Sequence, residues 1–266
     1  MSDAQVVALI IALVLGAAAL TRSALGFGDA LVSMPLLSLL LPLDRARPLV
    51  ALLAGTTALT ILARDWRLVR FTAVWRLVLG AVVGIPIGAF FLHLIDEQLV
   101  KVILSLLIIT FSLYNLFRPK LTELKSERLA VLFGVISGTL GGAYNTFGPP
   151  VVIYGTMRRW PAENFRASVQ CYFVPCLLTL FAVHIYEGLW VPAVFRDFAL
   201  SLPVIFVAIY AGTKLHRRLA DRRFDRYVSV ALLFVAGMLL FSSLGGAEGD
   251  QVRESAPVES AVGDGG

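Results

Sequence analysis

The chain reads as long apolar runs separated by short polar connections. The runs lie at about 4–21, 48–63, 71–92, 98–117, 127–143, 164–183, 194–213 and 227–244. A run of about 17–25 apolar residues is long enough to cross a bilayer as a helix, so these eight segments are expected to span. Two shorter runs, about 30–42 and 147–157, follow glycine-rich interruptions and are too short for a comfortable crossing. The interruption "GGAYNTFGPP" (141–150) packs three glycines, an Asn and a Pro-Pro pair into ten residues. Non-helical backbone at membrane depth is tolerated only when it is buried in protein or lines a cavity. The break is therefore expected in the interior, beside a polar space.

Composition agrees with that reading. The chain has 266 residues, of which 58% are hydrophobic and 15% charged, and its mean hydropathy is +0.81. A soluble domain carries roughly 25% charged residues, so an all-α polytopic membrane protein is expected. The net charge of +5 comes from basic residues spread over short connections, a pattern that reports topology and not nucleic-acid binding. Cys171 and Cys176 lie in one apolar run with no zinc spacing and read as buried thiols. The start "MSDAQ" has no positive flank, and the first run reads as a retained span. The end, "GGAEGDQVRESAPVESAVGDGG" (245–266), is small, polar and acidic and is expected to be disordered.

Basic residues set the orientation. The connections 64–70, 118–128, 158–166 and 214–226 are rich in Arg and Lys, whereas "HLIDE" (93–97) and "HIYEGLWVPA" (184–193) have none. The basic set is expected on the cytoplasmic side, with both termini outside. Arg45 and Arg47 then fall outside, against the trend. Because 118–128 and 158–166 share a side, the chain between them enters the membrane and returns.

The same grammar occurs earlier. "LGFGDALVSMP" (25–35) aligns with "LGGAYNTFGPP" (140–150) at an offset of 115, matching Leu25 to Leu140, Gly26 to Gly141 and Pro35 to Pro150. Each half thus holds a broken helical hairpin followed by three spans. An odd number of crossings inverts one half relative to the other. The organisation expected is a first repeat over 1–117, a cytoplasmic linker at 118–126, a second repeat over 127–244 and the tail. Inverted repeats with matching breaks mark transporters, and the breaks point to the substrate.

The motifs "GFGDALVSMPLL" and "GTLGGAYNTFGPPVVIYGTMRRWPAENFRASVQCYF" resemble those of the TauE/SafE family of sulfite and organosulfonate exporters. The resemblance covers nearly the whole chain except the tail. It implies a permease for a small sulfur-containing or carboxylate anion in a bacterial-type inner membrane. The chain departs from the family pattern at Asp29, where a small residue is common.

Candidate binding residues follow from the breaks. A half-helix N-terminus presents free N–H groups and a partial positive charge, and glycine lets an anion approach the backbone. Gly26, Phe27 and Gly28 in the first break, and Gly141, Gly142, Asn145, Thr146, Phe147, Gly148 and Pro149 in the second, are therefore expected to form an anion cradle. The alternative is that the glycines serve only close packing. Asp29 is expected to carry a coupling proton, contact substrate, pair with an Arg, or cap the short helix. Arg166 offers a bidentate fork for sulfite, sulfonate or carboxylate, or anchors the interface. Gln170 lies one turn on, on the same face. Tyr144 and Tyr154 offer hydroxyls. The series Gly80, Gly84, Gly88 and Gly134, Gly138, Gly142 read as helix-packing faces. His93, His184 and Glu187 read as interfacial. No Walker or HExxH pattern is present, so no cofactor, metal or ATP is expected, and an ion or substrate gradient would drive transport. Three other readings stay open: a passive anion channel on the same architecture, a non-transporting membrane subunit, and an intramembrane enzyme using Ser23, Ser137 or Ser168.

Overall fold

A computed structural model describes residues 3–69, 71–92, 94–117, 121–124, 126–218 and 228–241. The acidic tail, His93, most of the basic connection 214–226 and part of the linker 118–126 lie outside the described residues. The described chain is helical: α1 Asp3–Leu25, α2 Asp29–Ser38, α3 Leu43–Asp65, a 3-10 turn Trp66–Leu68, α4 Phe71–Leu92, α5 Glu97–Phe117, α6 Leu129–Tyr144, α7 Gly148–Met157, α8 Ala162–Tyr186 and α9 Pro192–Arg218, then α10 Val228–Phe241.

Six of these helices, α1, α3, α4, α5, α8 and α9, are long and apolar enough to cross a membrane. Eight spans were expected. α6 falls short, and α10, Val228–Phe241, begins and ends where the described residues do. Sixteen residues of α6 reach about 24 Å, less than the roughly 30 Å hydrocarbon thickness, because the break at Asn145 stops the helix early. α2 and α7 are the two short helices anticipated after the breaks, each of 10 residues.

The polarity of the bundle is inside-out. Leu79, Phe90, Phe206, Val207, Phe234 and Phe241 are exposed on its perimeter, while Arg22, Asp29, Arg47, Ser137 and Gln170 are buried. Water would not favour that arrangement; a lipid solvent does, provided the buried polar groups are paired.

Two helix pairs hold the bundle together. α4 and α6 meet along the two glycine series. A Cβ added to Gly80, Gly84 or Gly88 would overlap the backbone at Val131, Val135 or Thr139, and one added to Gly134, Gly138 or Gly142 would overlap Leu77, Ala81 or Ile85. The helices therefore touch backbone to backbone along three turns, which requires glycine on both sides. α1 and α9 make the other close pair, where a Cβ on Gly212 would come 2.6 Å from Leu20 O and one on Gly16 would come 2.7 Å from Val204 Cγ1.

The helix bounds of the first part recur in the second at an offset of 119, not the 115 at which the letters match. α1 and α6 end at Leu25 and Tyr144, α2 and α7 run from Asp29 and Gly148 to Ser38 and Met157, and α3 and α8 begin at Leu43 and Ala162, each pair 119 residues apart. Exchanging the halves also exchanges the close pairs, α1–α9 for α6–α4. α3 and α8 lie against each other and run antiparallel. Arg47, near the start of α3, pairs with Glu187 just past the end of α8, and Arg166, near the start of α8, pairs with Asp65 at the end of α3.

Candidate functional site

The first break is a two-glycine reversal. Gly26 closes α1 with φ 91° and donates its N–H to Arg22 O at 2.6 Å. Gly28, at φ 98°, is the N-cap of α2. An L side chain is strained at either position, so glycine is required to turn the chain within three residues. Asp29 is the first residue of α2. Its carboxylate accepts from Arg22 Nη1 at 2.6 Å.

That ion pair is dry. The Arg22 and Asp29 side chains are 1% and 6% exposed. The guanidinium also donates to Gln170 Oε1 from Nη2 at 2.8 Å and from Nε at 3.2 Å, and its Cζ lies 4.3 Å from the Phe173 ring centre. Gln170 in turn donates from Nε2 to Gly26 O at 2.6 Å. One amide thus ties the cation to the backbone of the break. A buried charge is sustained only by such complete pairing.

The second break uses different residues for the same geometry. Asn145 closes α6 in the left-handed conformation, φ 57°, with its N–H on Gly141 O at 2.8 Å. Asn tolerates this region better than most L residues. Its side chain donates from Nδ2 to Arg47 O at 2.6 Å. Phe147 O accepts from Ser137 Oγ at 2.6 Å, and Ser137 accepts from the Tyr172 hydroxyl at 2.7 Å. The turn is therefore pinned from α3 and from α6 and α8.

The breaks meet. A Cβ on Gly148 would sit 3.5 Å from Phe27 Cδ2. Between them lies a cavity lined by Arg22, the first turn of α2 (Gly28 to Leu31), Ala54, the loop Asn145 to Gly148, Phe173 and Leu177. It is a narrow space of about 10 Å³, room for no more than about one water. The two half-helices do not contribute equally. The first-turn N–H groups of α2 have no partner within the helix and belong to residues that line the cavity. Pro149 and Pro150 open α7 and remove two such donors there. The free first-turn amides beside the cavity thus come mainly from α2, next to Arg22.

The expected site residues separate into three groups. Gly28, Asp29, Asn145, Thr146 and Gly148 line the cavity. Gly26, Phe27, Pro149 and Gln170 support it, with Gln170 bonded to both Arg22 and Gly26. The rest lie elsewhere. Gly141 is covered by the Phe147 ring and Gly142 by Ile85 of α4. Tyr144 is buried, and its carbonyl takes the Thr146 hydroxyl. Tyr154 packs on Phe133 and Trp160 and lines a separate cleft with Arg76, Glu127 and Arg158. Arg166 packs over Gly26, where a Cβ would meet its Cγ at 3.3 Å. Cys171 and Cys176 are free thiols.

Arg22 is the residue that sequence reasoning passed over. It follows directly on the apolar run 4–21. The signal was its neighbour: the first break lies only four residues on, so Arg22 sits inside the hairpin and not at a surface. Glu187 was read as interfacial; its side chain is 6% exposed and pairs with Arg47 at 3.1 Å.

A protein-family model described as "Sulfite exporter TauE/SafE" matches residues 10–239, which include both breaks and every residue of the cavity. No curated protein and no solved structure matches the chain.

Proposed function

We propose that this chain, which belongs to the TauE/SafE family and so is a membrane transporter of the sulfite-exporter type, is a secondary transporter that binds a small sulfur-containing or carboxylate anion between its two helix breaks. The observation that carries this reading is the buried Arg22, held in the cavity wall by Asp29, Gln170 and Phe173. A guanidinium forks onto paired oxygens of a sulfite, sulfonate or carboxylate. The first-turn amides of α2 add further donors to the same oxyanion.

Asp29 now occupies the position such an anion would take. A second negative charge in a dry cavity is costly unless one is neutralised. Substrate entry with one proton keeps the cavity neutral: the anion takes Arg22, and Asp29 takes the proton as it swings away. Anion and proton then move together. A space this narrow, with room for no more than about one water, favours alternating access over an open channel. The offset of 119 and the antiparallel α3 and α8 favour two inverted halves moving about the breaks. In this reading both termini lie outside. Arg45 and Arg47, which fall on the outer face, each meet an acid there: Arg45 meets Asp197 at 2.6 Å, which also takes Arg196, and Arg47 meets Glu187 at 3.1 Å.

The test is uptake of labelled sulfite by proteoliposomes, with sulfonates, thiosulfate and carboxylates as unlabelled competitors. Saturable uptake that one competitor class suppresses and Gly148→Leu abolishes supports the reading and names the class. No uptake and no trans-stimulation by any competitor removes it.

A further inference from the structure

We infer that Arg47–Glu187 and Arg166–Asp65 are a matched pair of gates, one at each mouth of the central cavity, that open in alternation. The inference rests on the transporter reading, but its geometry is independent of which anion moves.

The two arginines occupy equivalent places. At the offset of 119, "PLDRAR" (42–47) meets "PAENFR" (161–166), so Pro42 meets Pro161 and Arg47 meets Arg166. Pro42 and Pro161 are the N-caps of α3 and α8 with nearly the same backbone, φ −54°, ψ 147° and φ −58°, ψ 137°. Each arginine therefore projects from the second turn of its helix. Each also reaches the break of the other half. Arg47 donates from Nη2 to Gly142 O at 3.1 Å and its own carbonyl takes Asn145. Arg166 covers Gly26. Each ends on an acid at the far end of the opposite long helix. Sequence position, cap and break are exchanged together at one offset, and the two acids lie at corresponding ends of α8 and α3 although Glu187 is 122 residues from Asp65.

The pairs are far apart. Arg47 and Asp65 are 18 residues apart on α3, about 27 Å along its axis, so the two ion pairs bracket the cavity from opposite faces. Ala54 lies between them on α3 and lines the cavity. Beyond Arg47 is a second, larger cavity of about 160 Å³, lined by Pro42, Leu43, Asp44, Arg47, Leu92, Ile95 and Val100. Arg47 thus stands between an outer vestibule and the loop Asn145–Gly148. The pairs are also unequal. Arg47–Glu187 closes at 3.1 Å with Glu187 6% exposed, whereas Arg166–Asp65 spans 3.8 Å with Asp65 24% exposed. This conformation is sealed at Arg47 and looser at Arg166. Rocking α3 against α8 about a point between the pairs tightens one and draws the other apart, because the two pairs lie at opposite ends of the same two helices.

The experiment reads sidedness, not transport. Ala54→Cys is placed in a Cys171→Ala/Cys176→Ala background, reconstituted in vesicles, and labelled with a membrane-impermeant, charged thiol reagent from either face. The parent is expected to label faster from the Arg166 face. Glu187→Gln is expected to raise labelling from the Arg47 face by about fivefold or more and to lower it from the other. Asp65→Asn is expected to do the reverse, and the swap Arg47→Glu/Glu187→Arg to return toward the parent. Should Glu187→Gln not fold, Arg47→Lys, which keeps the charge but loses the fork, takes its place. Equal changes from both faces, or none, would reduce the two pairs to structural braces and overturn the inference. Loss of sulfite uptake with opposite labelling shifts intact would instead count against the substrate reading alone.

Discussion

Arg22 and Asp29 face each other across the first break at 2.6 Å, joined by a reversal that only Gly26 and Gly28 can make. The break therefore does two things at once: it starts a half-helix and it folds a carboxylate back onto a cation seven residues earlier. Removing one member leaves a buried charge without its partner, which costs about 3–5 kcal/mol. Arg22→Ala is expected to lower the melting temperature in detergent and abolish uptake. Arg22→Met/Asp29→Leu is expected to recover most of the stability, because a packed apolar pair replaces a buried ionic one, and to remain without transport. Asp29→Asn separates coupling from binding. Anion exchange should persist, and an imposed acid gradient should no longer accelerate uptake.

The glycine seam between α4 and α6 makes a sharp structural prediction. Gly84→Val would drive its side chain into the backbone of α6 at Val135 and Thr139. Neither helix can yield without displacing Gly142 and hence the second break. Overpacking costs typically about 1–3 kcal/mol, and here backbone meets backbone, so the upper end is expected. Gly237→Ala on α10 is the control: nothing lies within 4 Å of its Cβ position, and thermal stability should be unchanged within error.

Much of this architecture was legible in the chain. The apolar runs located the long helices, and "GFG" and "GGAYNTFGPP" located both breaks. The two glycine series were legible because a period of four on one helix face has few other uses. The offset at which the helix bounds recur was not. Letter matching aligned Gly26 with Gly141, whereas the structure aligns Gly26 with Asn145. Both close a helix in the left-handed region, and Gly and Asn reach it by different means, so conformational equivalence leaves no identity to match. The site's cation was missed for a related reason. Arg22 and Gln170 are 148 residues apart, and no local pattern reports a partner at that distance. Arg47 looked like an exception to the charge rule until its acid appeared across the bundle.

Gln170 is expected to act as a strut between cation and backbone. Gln170→Leu would leave donors of Arg22 and the carbonyl of Gly26 without partners. Each buried unsatisfied group costs about 1–3 kcal/mol, so the loss in stability should exceed that of an ordinary polar-to-apolar change. Gln170→Glu keeps an acceptor for Arg22 but cannot donate to Gly26 O while ionised. It also sets a second carboxylate against Asp29 for the same guanidinium. Its apparent KM for the transported anion should rise more than its maximal rate falls, since competition for Arg22 acts on binding. A comparable loss in both would point to a collapsed break instead.

Asn145 carries two separable roles, and three substitutions distinguish them. Its backbone needs φ near 57°, and its Nδ2 holds Arg47 O. Asn145→Gly keeps the first and loses the second. Asn145→Ala loses both, and adds about 1–2 kcal/mol for an L residue in the left-handed region. Asn145→Asp keeps a tolerant backbone but sets an acceptor against a carbonyl. The order of thermal stability expected is therefore Asn, then Gly, with Ala and Asp lowest. If the hydrogen bond to Arg47 also seats the outer ion pair, Asn145→Gly should speed thiol labelling of Ala54→Cys from the Arg47 face while leaving the opposite face unchanged. An Asn145→Gly chain as stable as the parent and labelled no faster would show that the side chain contributes nothing beyond its conformational tolerance.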